Sequence, residues 1–128
     1  MIIDEKLIEG VFHEAEQSPR RRAVYCFHES TSDNAQRLLN VMLPGTEVPI
    51  HRHANKSETY ILIKGRVEVL YYNSKREVVE VFSLDRDAQN YGLHIPKMQW
   101  HTVHVIEPSV IFEVSDGPYT PLDNKDIL

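Results

Sequence analysis

The chain changes its hydrophobic pattern after its first 18 residues. Before that point, apolar residues recur at the three- and four-residue spacing of one helix face: Leu7, Ile8, Val11, Phe12 and Ala15. Asp4 and Glu5 precede this face, where carboxylates stabilise the positive end of a helix. Ser18-Pro19 ends the pattern, because the residue before a proline avoids helical conformation. The pattern therefore predicts a short N-terminal helix.

The remainder of the chain is predicted to be strands and turns. Runs rich in Val, Ile, Leu, Tyr and Phe predict strands at 23–28, 36–43, 58–64, 66–72, 77–84, 99–106 and 110–115. Groups of turn-forming residues separate them at 32–34, Pro44-Gly45, Lys64-Gly65, Asn73-Ser74 and 107–109. Many short strands at this spacing favour an all-β sandwich or jelly roll.

The length of 128 residues and the hydrophobic content of 41% fit a single domain with one core. We expect residues 1–18 to form a helical extension and residues from about 23 to 116 to form a β-barrel. Residues 117–128, called the tail below, are polar, and we expect them to wrap the surface.

Charge and composition argue against several partners. The net charge of −5 and the lack of a long basic stripe argue against nucleic-acid binding. No run approaches the roughly 20 apolar residues that span a bilayer, and the first residues lack the apolar core of a signal peptide. The single cysteine, Cys26, fits a reducing compartment. We therefore expect a cytoplasmic protein that binds neither nucleic acid nor membrane.

His51, His53 and Glu58 suggest a metal site. On an extended strand His51 and His53 would point to the same face, because side chains alternate with period two. The short polar segment 54–57 could form a hairpin loop that returns Glu58 to the pair. Two imidazoles and a carboxylate form the open facial site that divalent first-row metals favour. Surface histidines on a hairpin are the alternative interpretation.

The spacing G-x5-H-x-H-x4-E-x6-G, followed by P-x4-H, resembles the two sequence motifs of the cupin superfamily. The first motif is matched by Gly45, His51, His53, Glu58 and Gly65. In the second motif Pro96 and His101 remain, whereas Asn90 and Met98 stand where the family usually has glycine. The resemblance implies a cupin double-stranded β-helix (jelly roll), His101 as a fourth metal ligand, and a homodimer.

A wider set of matches resembles the small WbuC-type cupins of bacterial O-antigen and polysaccharide gene clusters. The matches include Ser18-Pro19-Arg20, Gln36-Arg37, Trp100-His101, Glu113 and Gly117-Pro118-Tyr119, and they run from residue 18 to about residue 120. This resemblance implies a place in polysaccharide metabolism, although the reaction of that family is not established. The sequence departs from the family at Tyr25-Cys26 and His28, which bears on the specificity of the pocket.

Strand alternation predicts the inner wall of the barrel. Tyr60 and Leu62 would face inward with Glu58, and Val103 and Val105 would lie beneath His101. The candidate contacts to a small-molecule ligand are Arg20, Arg22, Gln36, Arg37, Tyr60 and Tyr72. The alternative is that the arginines are ordinary exposed charges and that the tyrosines are buried and satisfied by backbone carbonyls. The sequence leaves open whether His28, His94 or His104 contact the site.

Four protein ligands leave open positions on a six-coordinate ion, which can polarise a carbonyl, acidify water or hold oxygen. We favour Lewis-acid chemistry of the isomerase or epimerase type on a polar or anionic sugar-derived molecule. The alternatives are an iron-dependent dioxygenase and a non-catalytic small-molecule-binding module. The donor set accepts iron, nickel, manganese, cobalt or zinc as the single divalent ion.

Overall fold

A computed structural model of the protein describes residues 1–128. One helix, α1 (Glu5–Gln17), precedes six strands. The strands are β1 (Arg22–Cys26), β2 (Ala35–Met42), β3 (Glu58–Tyr72), β4 (Val78–Asp85), β5 (Gly92–Ile95) and β6 (Trp100–Asp116), and a 3-10 helix follows at Asn124–Asp126. The expected all-β architecture with a short N-terminal helix is confirmed. No helix is both long enough and apolar enough to cross a membrane.

The helix forms where its pattern predicts. The Asp4 carboxylate accepts a hydrogen bond from the Leu7 N–H at 3.0 Å, which caps the first turn, and Ser18 ends the helix in extended conformation. The inward face of the helix buries Ile8, Val11 and Ala15 against the outer face of the sheet. Burial of this apolar face, rather than helix propensity alone, holds so short a helix in place.

The strands form an antiparallel sheet in the order β1-β2-β6-β3-β4, with β5 paired to β3. Along the long β3–β6 ladder, Tyr71 pairs with His101 and Glu58 pairs with Ser115. The ladder folds over on itself, as two contacts show. The Tyr71 hydroxyl donates to the His94 carbonyl at 3.4 Å, and His94 pairs with Thr59 at the opposite end of β3. Both ends of the two long strands therefore reach the same end of the barrel.

Two predicted strand breaks are wrong. Lys64-Gly65 and residues 107–109 lie inside β3 and β6, so the four strands expected there are two. The register shifts between Leu62 and Val67 show that the bend is made by irregular pairing within the ladder. Gly65 has φ +91°, and a Cβ there would overlap Ser109 and the Pro108 carbonyl oxygen. The missed element is β5, which is only 4 residues long.

The sheet has an apolar core on each face. The core inside the barrel contains Met42, Tyr60, Leu62, Val67, Val69, Tyr71, Leu84, Ile95, Val103, Val105 and Ile111. The core under the helix contains Ile8, Val11, Ala15, Leu39, Val41, Leu43 and Val110. Tyr60, Leu62, Val103 and Val105 therefore face inward, as strand alternation predicts.

Gly65→Ala should destabilise the metal-free protein by about 2 kcal/mol or more, because a side chain at this positive φ strains the backbone and meets fixed backbone atoms. Gly10→Ala is the matched control: Gly10 lies in α1 and has no atom within 4 Å of an added Cβ. It should stabilise by roughly 0.5–1 kcal/mol through helix propensity. Urea unfolding measures both, and equal effects of the two substitutions would contradict the role assigned to Gly65.

Candidate metal centre

The side chains of His51, His53, Glu58 and His101 converge, with one possible ligand atom from each lying within 4.8 Å of all the others. His53 Nε2 lies 3.0 Å and His101 Nε2 lies 3.5 Å from Glu58 Oε1. His51, Glu58 and His101 are buried, and His53 is half-buried. The structure thus brings together the four residues expected from the sequence.

The elements that place these residues differ from the expected hairpin. The backbone of His51 pairs with His101 through hydrogen bonds of 3.0 and 2.8 Å, and not with the start of β3. Glu58 opens β3 between β5 and β6. Glu58 reaches the histidines because the long ladder folds over. Segment 54–57 connects His53 to Glu58, but the chain on its two sides does not pair as a hairpin. The expected return of Glu58 in a hairpin is therefore wrong.

Backbone carbonyls orient two of the imidazoles. His51 Nδ1 lies 2.8 Å from the Pro49 carbonyl, and His101 Nδ1 lies 2.9 Å from the Gln99 carbonyl. A carbonyl can only accept, so each Nδ1 carries a proton, and in the neutral form of either ring the lone pair available to a metal is on Nε2. Glu58 Oε1 and His101 Nε2 are buried without a hydrogen-bond partner. Such atoms are costly unless something satisfies them, and a metal ion fits both.

The charge states also suit a cation. Burial, and next the neighbouring His101, lower the pKa of His51 to about 4, so this imidazole is neutral at neutral pH. Burial by itself would raise the pKa of Glu58. The close imidazoles of His101 and His53 outweigh burial and hold the pKa of this carboxyl well below its usual range. The cluster therefore offers an anionic carboxylate and at least one neutral imidazole to an ion.

Three of the four clustered side chains, His51, His53 and Glu58, line a cavity of about 310 Å³. Of the predicted ligand contacts, Arg20, Arg22, Gln36 and Tyr60 line this cavity. Arg22 is held in place, because its Nη1 donates to the Glu47 carbonyl at 2.8 Å and to Thr46 Oγ1 at 3.2 Å. A larger groove of about 470 Å³ around Gly65 contains none of the four clustered side chains.

Two of the predicted contacts do not line the cavity. Arg37 follows the inward-facing Gln36 on β2, so alternation turns it outward, where it is exposed. Tyr72 follows the buried Tyr71 and lines a separate surface groove with His104. His28 bonds to the backbone of Arg37 and His94 to the Thr59 hydroxyl, so neither these histidines nor His104 is in the cluster.

Sequence reasoning did not assign Glu113, Asn40 or Lys56 to the site, although all three line the cavity. Asn40 Nδ2 donates to Glu113 Oε1 at 2.9 Å, whereas Asn40 Oδ1 is buried without a partner. Burial, and next the charge of Glu58, raise the pKa of Glu113 to about 7. A usable signal was present, since Glu113 is the one charged residue in the apolar run 110–114 and has the same strand parity as the inward-facing Ile111.

The tail lies partly on the surface and partly against the site. Most of it is exposed, but Asp126 is buried, and Tyr119 and Leu122 line the cavity. Ile127 forms a bridge with His51, and the Leu128 N–H donates to the Ile50 carbonyl at 2.8 Å. The tail thus packs beside the cluster because its last residues pair with the strand-like segment that carries His51.

A family model described as a domain of unknown function (DUF6016) matches residues 3–84. No curated protein matches the chain.

The fold is similar to that of several solved structures. KdgF from Halomonas sp. is 15% identical, with 80% of this chain and 84% of that chain covered and a TM-score of 0.61. A cupin superfamily protein from Desulfitobacterium hafniense is 13% identical, with 74% of this chain and 76% of that chain covered and a TM-score of 0.59. The capsular polysaccharide assembling protein CapF from Staphylococcus aureus is 16% identical, with a TM-score of 0.63. The match covers 87% of this chain and 32% of that chain, so this chain spans about a third of CapF. These likenesses confirm the cupin fold.

Glu113→Gln should stabilise the metal-free protein at pH 8 and have little effect at pH 4.5. The raised pKa means that the folded state holds a proton between about 4.5 and 7 that the unfolded state has released, so stability falls as the pH rises through that window. Gln keeps the shape without this cost. Because the side chain is only half-buried, we expect roughly 1–2 kcal/mol from urea unfolding at pH 8. Exposed Glu16→Gln is the control, and a Glu113→Gln effect independent of pH would contradict the assignment.

Proposed function

We propose that this chain, which belongs to the family described as a domain of unknown function (DUF6016), is a divalent-metal cupin that acts on a polar or anionic sugar-derived molecule. One observation carries the proposal. His51, His53 and Glu58, which cluster with His101, line a single cavity together with basic side chains and a second carboxyl group, Glu113. Metal, cationic contacts and a proton carrier would then all reach the same small ligand.

The four clustered side chains would hold the ion through three imidazole nitrogens and one carboxylate oxygen. Such a mixed set is compatible with iron, nickel, manganese, cobalt and zinc. When bound, the ion would supply a Lewis acid for a carbonyl or hydroxyl oxygen of the ligand. The backbone carbonyls of Pro49 and Gln99 keep two of the ring nitrogens aimed at the ion's position.

The anionic class of ligand follows from the basic residues. Arg20, Arg22 and Lys56 all line the cavity of a chain whose net charge is −5. Arg22 is already held by the loop at Thr46, so it would lose little side-chain freedom on binding a carboxylate or phosphate. The resemblance to WbuC-type cupins supports a sugar derivative from bacterial polysaccharide metabolism. The fold shared with the capsular polysaccharide assembling protein CapF is compatible with that context.

Glu113 would carry the proton in an isomerisation or epimerisation. It pairs across the strands with Tyr60, next to the pair of Glu58 and Ser115, and it is on the same inward face. Such diagonal neighbours lie about 7–8 Å apart, which leaves room for a ligand between Glu113 and the ion. A carboxyl with a pKa of about 7 can accept a proton from the carbon next to a carbonyl and return it, from the same side, to the carbonyl carbon, while the proton of the neighbouring hydroxyl passes to the carbonyl oxygen. An epimerisation would need a second proton donor on the opposite face of the ligand. The substrate and product then have the same composition, and no other reactant is consumed.

Replacing His53 or Glu58 with alanine should remove most of the bound metal, because the remaining ligands form an incomplete site. Elemental analysis of untagged protein, after loading and dialysis, measures the metal content. His104→Ala is the matched control, since His104 is exposed and outside the cluster. Full metal content in the His53 or Glu58 variants would refute the metal site. An iron-loaded protein that consumes oxygen with the ligand would instead favour the dioxygenase.

Arg20→Ala should weaken binding of glucuronate or glucose 6-phosphate to the metal-loaded protein by about tenfold or more, because a charge-assisted contact is worth roughly 2 kcal/mol. Arg37→Ala is the control, because Arg37 is an exposed arginine that does not line the cavity. Calorimetric titration measures both, with unchanged metal content as a check. Equal affinity in both variants, or equal binding of neutral glucose, would contradict an anionic ligand.

A further inference from the structure

The segment that carries two of the proposed metal ligands has little regular structure of its own. Between Ile50 and His53, only His51 takes part in strand pairing, through isolated bridges to His101 and to Ile127. Metal affinity requires ligands that are held in position before the ion arrives. The contacts that fix this segment therefore bear directly on the ion.

Arg52 lies between the two histidines and points away from the cluster. Its Nε donates to Asp126 Oδ1 at 2.9 Å, and its backbone N–H donates to the Asp126 carbonyl at 3.0 Å. Its guanidinium stacks on the ring of Trp100, with Cζ 4.3 Å from the ring centroid. Trp100 directly precedes His101 in the chain. Asp126, a residue of the tail, thus accepts hydrogen bonds from both the backbone and the side chain of Arg52.

Asp126 is well placed to hold this position. Only 7% of the residue is exposed, and it ends the 3-10 helix Asn124–Asp126, which Asp123 caps through its side chain. The residues that follow pair with the same segment, at His51 and Ile50. The ligand segment is consequently clamped between β6 on one side and the tail on the other.

We propose that Asp126 is a positioning residue of the metal centre, which fixes His51 and His53 through Arg52 although it is not part of the cluster and does not line the cavity. This inference rests on the proposed function, because it presumes that the cluster binds an ion. Outer residues that orient metal ligands typically change metal affinity by about 10- to 100-fold when replaced. The Asp126–Arg52 contact should act in the same way, from a part of the chain far from the ligands in sequence.

The test measures the affinity of untagged, metal-free protein for Co²⁺ by competition with a chelating dye at pH 7.5. Asp126→Asn should weaken Co²⁺ binding by about tenfold or more and change the absorption spectrum of the bound Co²⁺. Arg52→Gln should do the same, and the double variant should be no weaker than either single one, because the two residues act as a unit. Arg52→Gln also serves as the test should Asp126→Asn fail to fold.

Two controls separate positioning from general loss of stability. Glu5→Gln removes another ion pair of 2.9 Å, to Lys64, away from the site, and it should leave Co²⁺ affinity unchanged. Val11→Ala destabilises the fold in the core under α1, where Val11 is buried, and should also leave the affinity of the folded protein unchanged. Unaltered Co²⁺ affinity in Asp126→Asn and Arg52→Gln overturns the inference while the metal site stands. A parent protein that binds no Co²⁺ overturns the proposed function and the inference with it.

Discussion

The site depends on the folding-over of the two longest strands. Glu58 and His101 belong to strands that pair with each other, yet they lie at opposite ends of the ladder, where their partners are Ser115 and Tyr71. A flat ladder would hold them tens of ångströms apart, since each residue of a strand advances the chain by about 3.3 Å. The bend around Gly65 instead brings His101 Nε2 within 3.5 Å of Glu58 Oε1. Close packing of Gly65 against Ser109 therefore has a functional consequence at the far end of the barrel.

The cavity holds two carboxyl groups whose environments shift their pKa values in opposite directions. Glu58 is surrounded by imidazoles, which favour its charged form, whereas burial and the charge of Glu58 favour the protonated form of Glu113. Under the proposed function, this separation would suit Glu58 to holding a cation and Glu113 to exchanging a proton. The site also has a cost in stability, because buried polar atoms without partners, such as Glu58 Oε1, reduce the stability of the metal-free fold.

The contacts around the site come from distant parts of the chain. Arg20 precedes β1, Lys56 precedes β3, and Tyr119 and Asp126 belong to the tail. Each stretch is held by a few polar contacts, as Arg52 is by Asp126 at 2.9 Å and the loop at Thr46 by the Arg20 carbonyl at 2.6 Å. Ligand specificity can therefore vary with these connections, while the apolar core preserves the barrel and the cluster.

The sequence by itself determined the helix and most of the strands, because hydrophobic periodicity is a local property of the chain. It indicated the grouping of His51, His53, Glu58 and His101 through the motif spacing in which it resembles the cupins. Only the tertiary structure decided where the strands continue: bulged pairing carries β3 through Lys64-Gly65, although these residues are typical of a turn. It also separated Arg20, which lines the cavity, from Arg37, which does not, and it brought Glu113 and Asp126 to the site. These assignments depend on contacts between residues that are far apart in the chain, and local pattern carries no information about such contacts.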